Sequence, residues 1–402
     1  MVYFTPMRKI GLYIEQKRAW GRLVCEGVAA YARANGNWEL EMLEKDDIAD
    51  RRRLAPFDGF IARVTDARTA CRLNRLKKPV ADIYGDAARW SPDFRHSGTN
   101  FIFKAVRQDN VAVGRLAANH FIEHRFARFA YCGYSGMRFS KERQAAFTEC
   151  LKENHFGCDV YNAPSSASSA FESSIANNSE RIGAGADAAE LISWLKSLET
   201  PCAVFCANDI RGYNVRKACA AAGLAVPEDI AILGVDNDSL ICNFTAPPLS
   251  SIDPDAFGLG YAAAEFLQMK IDGGTDEHPR KIAPRELVDR ESTRIFPVKP
   301  EWLSTALVFI RRNISRHISA AQVCEHVNLS HTTVNEAFHE KLNSSIQKEI
   351  RHVALSEAKR LLTTTSLPVA EVSRRAGFAS QQYFSNVFAK AFGVTPTAMR
   401  DG

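Results

Sequence analysis

The stretch AGFASQQYFSNVFAKAFGVTPTAMR, residues 376–400, decides the fold of the last quarter of the chain. Phe384, Phe388 and Phe392 recur every four residues, which predicts one buried stripe along a helix. Ser380 stands where an N-cap would begin this helix, and Gly393 can supply the left-handed turn that ends it. The stretch therefore predicts a short helix with an aromatic face opposite a polar face.

The same pattern occurs earlier in the chain. The cap, the three apolar positions and the final turn recur at a constant offset of 50 in Ser330, Val334, Phe338, Leu342 and Asn343. A shorter apolar helix pattern precedes each copy, so each copy predicts a helix-turn-helix unit. The intervening stretch IQKEIRHVALSEAKRLL, residues 346–362, has apolar side chains at helical spacing and predicts the helix that connects the two units.

The polar face of the second repeat helix indicates contact with nucleic acid. Gln381, Gln382 and Asn386 lie opposite the aromatic stripe, and amide side chains can both donate to and accept from adenine in the major groove. Residues 301–402 also carry twelve Lys or Arg against eight Asp or Glu, whereas the remaining residues carry thirty-nine against thirty-eight. A solvated polar face would explain one such helix, but two repeats in a basic segment favour DNA binding.

The stretch GFASQQYFSNVFAKAFGVTPTAMR resembles the signature of the AraC/XylS family of bacterial transcription regulators, including the Gly-Phe turn, the Tyr-Phe pair and the Thr-Pro after the helix. The resemblance extends over about residues 302–400 and implies two helix-turn-helix units joined by a linker helix. By position, it implies base contacts from Thr332, Asn335, Glu336, Gln381, Gln382 and Asn386. Family members often have Arg where Glu336 and Asn386 stand, so we expect Glu336 to tune specificity or to face away from DNA.

Residues 1–295 follow a different pattern, in which short apolar runs alternate with helical stretches. The runs are KIGLYI, GFIARV, KPVADIY, RFAYCGY, PCAVFCAND and IAILGVDND. Strands separated by helices predict parallel sheets with helices on both faces, and ligands bind at the carboxyl ends of such strands. The polar residues that follow these runs are Glu15, Gln16, Arg63, Asp209, Asp236, Asn237 and Asp238.

The same region resembles the effector domain of LacI/GalR regulators over about residues 8–296. The resemblance lies in RQDNVAVGRLAANHFIEH, CANDIRGYNVRKACAAAGLAVPEDIAILGVDN, PLSSI and PRELVDREST. It implies two α/β lobes that close around a ligand, as in periplasmic sugar-binding proteins. We therefore expect an α/β two-lobed sensor domain, residues 1–296, a linker, residues 297–303, and an all-α domain with two helix-turn-helix units, residues 304–402.

Residues at the predicted strand ends suit a polyol ligand. Sugars are held by planar groups that bond two hydroxyls at once and by an aromatic ring against their C–H face. The candidates are Arg143, Asp209 and Asp236, with Trp20 or Phe139 as the ring. Taken singly, Arg143 could form a surface ion pair, Asp209 a helix cap, Asp236 a turn and Trp20 part of the core. Their shared position at strand ends favours a ligand cleft.

Together the two resemblances imply a sugar-responsive transcription regulator, an activator of a sugar catabolic operon with xylose as the preferred effector. The expected partners are a double-stranded DNA operator, a monosaccharide, a second copy of the chain and RNA polymerase, all in the cytoplasm. A non-sugar effector such as a purine remains open, because the LacI-like fold also serves such ligands.

A carbohydrate-active enzyme is the third class of function. Asp209 and Asp236 could be imagined as paired acids. However, the sequence has no Gly-x-Ser-x-Gly nucleophile motif, and catalysis would leave the repeated helix-turn-helix unexplained. We therefore expect no catalytic residues.

Composition sets the remaining limits. The chain has 402 residues, of which 46% are hydrophobic and 24% charged, as in ordinary globular proteins of two or three domains. It has no apolar run of the roughly 18 to 20 residues that span a bilayer. Its ten cysteines lack Cys-x-x-Cys or paired Cys/His spacing, and Gly-rich phosphate motifs are missing. We therefore expect buried thiols, no metal, no cofactor and no membrane contact.

Overall fold

The computed structural model describes residues 7–35, 38–84, 101–102, 106–164, 187–274 and 280–401. They fall into two compact units. Unit 1 comprises Met1–His120 and Ala127–Thr293, and unit 2 comprises Phe121–Phe126 and Arg294–Gly402. The domain boundaries expected from the sequence, at residues 296 and 303, remain a prediction.

Unit 1 contains a parallel five-stranded sheet with the strand order β2-β1-β3-β4-β5. The strands are β1 (Arg8–Tyr13), β2 (Trp38–Met42), β3 (Gly59–Ala62), β4 (Val80–Asp82) and β5 (Phe101–Ile102). The accompanying helices are α1 (Ala19–Asn35), α2 (Lys45–Ala49), α3 (Arg51–Leu54) and α4 (Ala67–Asn74). All four residues of β3 are buried, because helices cover both faces of a parallel sheet.

A second, six-stranded sheet has the order β13-β11-β10-β9-β7-β8, and β6 pairs with β12 in a separate ribbon. The strands are β6 (Val106–Gln108), β7 (Phe129–Tyr134), β8 (Asp159–Ala163), β9 (Cys202–Cys206), β10 (Ile230–Val235), β11 (Ser250–Asp253), β12 (Arg280–Ile282) and β13 (Glu286–Val288). The edge strand β13 pairs antiparallel with β11. The apolar runs used to predict parallel strands did not include β13, which is separated from β11 in the chain by a helix, residues 256–271, and by β12.

The described residues of this part of the chain form six further α-helices: α5 (Asn110–Glu123), α6 (Arg138–Glu153), α7 (Ala188–Ser197), α8 (Asp209–Ala222), α9 (Ser239–Phe244) and α10 (Ala256–Ile271). Helices α1 and α10 pack closely at two glycines. A Cβ atom at Gly27 would collide with the carbonyl of Phe257, and one at Gly260 with the carbonyl of Val24. This close packing fixes α1, whose first turn carries Trp20.

Unit 2 consists of helices, including both predicted helix-turn-helix repeats. They are α11 (Glu301–Asn313), α12 (Ala320–His326), α13 (His331–Leu342), α14 (Ile346–Thr364), α15 (Val369–Arg375), α16 (Gln381–Phe392) and α17 (Pro396–Asp401). The Ser330 and Ser380 hydroxyls accept from backbone N–H groups at the starts of α13 and α16. Asn343, with φ 48°, and Gly393, with φ 73°, end these helices in the left-handed region. The predicted caps and turns are confirmed.

The cysteines were expected to be buried thiols, and most of them are. All ten cysteines are free thiols, and seven of them are buried. Burial raises the pKa of Cys202 to about 12 and that of Cys206 well above its usual range, so both thiols stay protonated. Among the described residues, no helix combines the length and the hydropathy that crossing a membrane requires.

Candidate functional site

Unit 1 contains a cleft at the carboxyl ends of its strands, with a volume of about 850 Å³ including the part open to solvent. One wall carries side chains that follow β1, β3 and β4, and the other carries side chains that follow β7, β9 and β10. The five residues predicted from the sequence all line it: Trp20, Phe139, Arg143, Asp209 and Asp236. The strand-end rule therefore located the cleft.

Arg143 lies on α6 and is only 2% exposed. Its Nε donates to Asn110 Oδ1 (2.9 Å), its Nη1 to the Ala207 carbonyl (2.5 Å) and its Nη2 to Gln108 Oε1 (3.4 Å). No carboxylate of the described residues pairs with it within 4.0 Å, so the surface ion pair is excluded. Burial lowers its pKa, and the charge of Asp236 opposes this effect. A guanidinium has five N–H groups, so donors remain for a ligand.

Asp236 follows β10 in a left-handed backbone conformation, with φ 112°. Its backbone N–H donates to the Ile252 carbonyl (3.0 Å). Within the described part of the chain its half-buried carboxylate accepts no hydrogen bond. Burial raises its pKa to about 6, while the nearby Arg143 and Arg63 act to lower it. Asp236 is thus an acceptor in the same cleft as the Arg143 and Arg63 guanidinium groups, and its carboxylate can accept from ligand hydroxyls.

Asp209 forms part of the cleft floor and is 1% exposed. Its Oδ1 accepts from Ser251 Oγ (2.6 Å) and its Oδ2 from the backbone N–H of Asp238 (2.8 Å). It is not a helix cap, because Asn208 caps α8 by accepting from the N–H of Arg211. Burial raises the pKa of Asp209 well above its usual range, and the charge of Asp236 raises it further.

Two half-buried aromatic rings stand in the cleft, and a guanidinium lies over each. The Arg63 guanidinium lies 4.5 Å from the Trp20 ring centroid, and that of Arg143 lies 5.2 Å from the Phe139 centroid. Arg63 also donates to Glu15. Each ring is therefore held by a cation–π contact at the edge of the cleft.

Several lining residues were missed by sequence reasoning, among them Arg18, Tyr84, Arg107, Gln108, Asn110, Arg138 and Glu142. Gln108 ends β6, a strand of only three residues with two polar ones, which an apolar-run criterion does not detect. Its Nε2 is buried and lacks a partner among the described residues. Asn110 donates to Glu142 and accepts from Arg143, and these bonds join α5 and α6 without any pattern in the sequence that would predict them.

In unit 2, five of the six predicted DNA-contacting residues are exposed: Thr332, Glu336, Gln381, Gln382 and Asn386. Asn335 is half-buried, and its Oδ1 accepts from the backbone N–H of Ile346 (3.4 Å). Glu336 forms no ion pair with a described residue, whereas Glu340 pairs with Lys341. The exposed face of α16 carries amides and Lys390 but no acid, so it is the more favourable of the two faces for phosphate.

Residues 118–293 match the periplasmic binding protein-like domain, and residues 323–402 match a helix-turn-helix domain. The xylose operon regulatory protein of Haemophilus influenzae is 28% identical over 399 residues, which cover 98% of each chain. The arabinose operon regulatory protein of Salmonella typhimurium is 40% identical over 86 residues, 21% of this chain and 31% of that protein. The solved structure of the xylose-binding transcription activator xylR matches with a TM-score of 0.58 and 26% identity, covering 99% of each chain.

This chain is a DNA-binding transcription regulator. It joins a periplasmic binding protein-like domain to an AraC-type helix-turn-helix domain, as the two sequence resemblances predicted. Its relatives are regulators rather than enzymes, which excludes the carbohydrate-active enzyme considered above.

Proposed function

We propose that this regulator activates a sugar catabolic operon when a monosaccharide, D-xylose as the first choice, binds the cleft of unit 1. The observation that carries the proposal is that Arg143 and Asp236 line one cleft, beside the rings of Trp20 and Phe139. Buried guanidinium and carboxylate groups can each bond two adjacent hydroxyls, and an aromatic ring can cover the C–H face of a sugar. The full-length similarity to xylose operon regulators supports this choice of effector.

The DNA is read by unit 2 in this proposal. Gln381, Gln382 and Asn386 contact base edges in one box of the operator, and Thr332, Asn335 and Glu336 contact a second box. The exposure of both helix faces and the basic balance of the segment support this assignment. The regulator acts in the cytoplasm as a homodimer and recruits RNA polymerase.

Calorimetric titration of the full chain with pentoses, hexoses and purines tests the effector. We expect one pentose, D-xylose, to bind more tightly than the other compounds. Arg143→Ala should weaken this binding roughly 30- to 150-fold, because it removes charge-assisted hydrogen bonds to a buried ligand. Binding of a purine but no sugar would instead identify the regulator as one with a non-sugar effector.

A further inference from the structure

We propose that Asp209 is a positioning residue, which holds the loop of residues 236–238 in place rather than contacting the effector. This inference rests on the proposed function for its consequence, but its structural part does not depend on the identity of the ligand. Three donors already occupy the carboxylate: Ser251 Oγ, the backbone N–H of Asp238 and, at 3.5 Å, Cys242 Sγ. A carboxylate has about four acceptor positions, so little capacity is left for hydroxyls.

The Asp209 carboxylate is also enclosed by the neighbouring strand. A Cβ atom at Gly234 would collide with Asp209 Oδ1, so the carboxylate packs directly against the backbone of β10. Asp236 shows the opposite arrangement, because no donor of the described residues reaches its carboxylate. The two acids in the cleft therefore have different roles. The Asp236 carboxylate is available to the ligand, whereas the Asp209 carboxylate is bonded to the protein.

The loop needs such support because two successive residues have a left-handed backbone. Asp236 has φ 112° and Asn237 has φ 47°, a region that residues other than glycine rarely adopt. Such conformations persist where surrounding contacts fix them. Asp209 provides two of these contacts, one directly to the N–H of Asp238 and one through Ser251, whose Oγ accepts from the N–H of Asn237 (3.0 Å).

The held loop presents a carboxylate to each side of the cleft. Asp236 lines the cleft with Arg143, whose charge acts to lower its pKa, while Asp238 Oδ2 accepts from the N–H of Ala19 (3.2 Å), the first residue of α1. Strand β10 belongs to the six-stranded sheet, and α1 follows β1 of the five-stranded sheet. The loop that Asp209 supports thus links the two walls of the cleft beside the ligand position. Loss of this support should weaken effector binding without removing any ligand contact.

Ser251 offers the sharpest variant, because it is fully buried and does not line the cleft. Ser251→Ala breaks the relay from Asp209 to Asn237 and cannot remove a ligand contact. The matched control is Ser292→Ala, which deletes an equally buried hydroxyl that donates to the Ile232 carbonyl and accepts from the N–H of Ser250, away from the loop.

Hydrogen exchange of the full chain without sugar tests the support itself. In Asp209→Ala and in Ser251→Ala, the exchange rates of the Asn237 and Asp238 amides should rise at least about fivefold. The reason is that each variant loses a hydrogen bond that fixes the loop. Ser292→Ala should leave these two amides unchanged. Unaltered exchange at both amides in Ser251→Ala and Asp209→Ala would overturn the proposal, whatever the effector is.

Calorimetry with D-xylose tests the consequence. Asp209→Asn can still accept from the N–H of Asp238 and donate to Ser251, so its affinity should fall by at most about threefold, whereas Asp236→Asn should lose roughly 30-fold or more. Ser251→Ala should lose about three- to tenfold. Equal losses in Asp209→Asn and Asp236→Asn would show that Asp209 contacts the sugar. If the wild-type chain does not bind xylose, the choice of effector fails, and the exchange measurement alone decides the role of Asp209.

Discussion

At the scale of single residues, Asp236 is a cleft carboxylate whose raised pKa predicts a dependence of effector binding on pH. Burial raises its pKa to about 6, and Arg143, Arg63 and Arg18 limit this rise. A carboxylate accepts from two hydroxyls, whereas the protonated acid loses acceptor capacity and its charge. Effector affinity should therefore be full above pH 7 and fall towards tenfold per pH unit well below pH 6.

Calorimetric titration between pH 5 and pH 8 measures this dependence. Asp236→Asn serves as the control, because its affinity should be low and nearly independent of pH across the same window. A wild-type dissociation constant that stays constant from pH 5 to pH 8 would exclude Asp236 as the group that bonds the hydroxyls.

At the scale of elements, the two faces of α16 predict opposite effects of substitution. Phe388 is fully buried, with its ring centroid 5.4 Å from that of Phe384 and 4.6 Å from that of Phe392. Phe388→Ala should cost about 3 to 5 kcal/mol of unfolding free energy, because it leaves a cavity in the core of unit 2. Thermal melting of the full chain measures this loss.

Asn386 lies on the exposed face of the same helix. Asn386→Ala should leave melting unchanged and cost about 1 to 3 kcal/mol of DNA binding, with relaxed base preference at one box of the operator. Binding-site selection with the variant measures the preference. A variant that melts early but keeps its base preference would mean that the faces are assigned the wrong way round.

The elements also show which parts of the structure a sequence can predict. Helices α13 and α16 were predictable because their caps, stripes and terminal turns are local signals that tertiary contacts reinforce. Strand β6 was not, because its three residues are mostly polar. The cleft was predictable from strand ends, but the partners of Arg143 come from β6, α5 and the end of β9 and require the folded chain.

At the scale of the whole molecule, unit 2 includes a short segment from far earlier in the sequence, Phe121–Phe126. Arg125 donates to Glu349 at 2.9 Å, and the side chain of Glu349 is 5% exposed. The His124 ring stacks on that of Phe296 with centroids 5.0 Å apart. The helical unit is therefore not a continuous stretch of chain, which local sequence signals could not reveal.

A fragment of residues 294–402 lacks this segment and should be less stable than unit 2 in the full chain. Glu349→Gln should destabilise the full chain by about 1 to 3 kcal/mol, because it weakens a charge-assisted bond to Arg125. It should have little effect on the fragment, where Arg125 is missing and water can reach the carboxylate. Thermal melting of the full chain and of the fragment, each with and without Glu349→Gln, measures the destabilisation in both contexts. Equal destabilisation of fragment and full chain would show that the ion pair with Arg125 contributes nothing.

In the proposed function, one chain binds a sugar in unit 1 and DNA in unit 2. The most direct measurement is the affinity of the full chain for DNA selected in vitro, titrated with and without D-xylose. We predict that xylose shifts this affinity, that the selected sites contain two boxes about one helical turn apart, and that Arg143→Ala abolishes the shift while DNA binding remains. An affinity that no pentose changes, in a chain that binds its selected DNA, would contradict the proposed function.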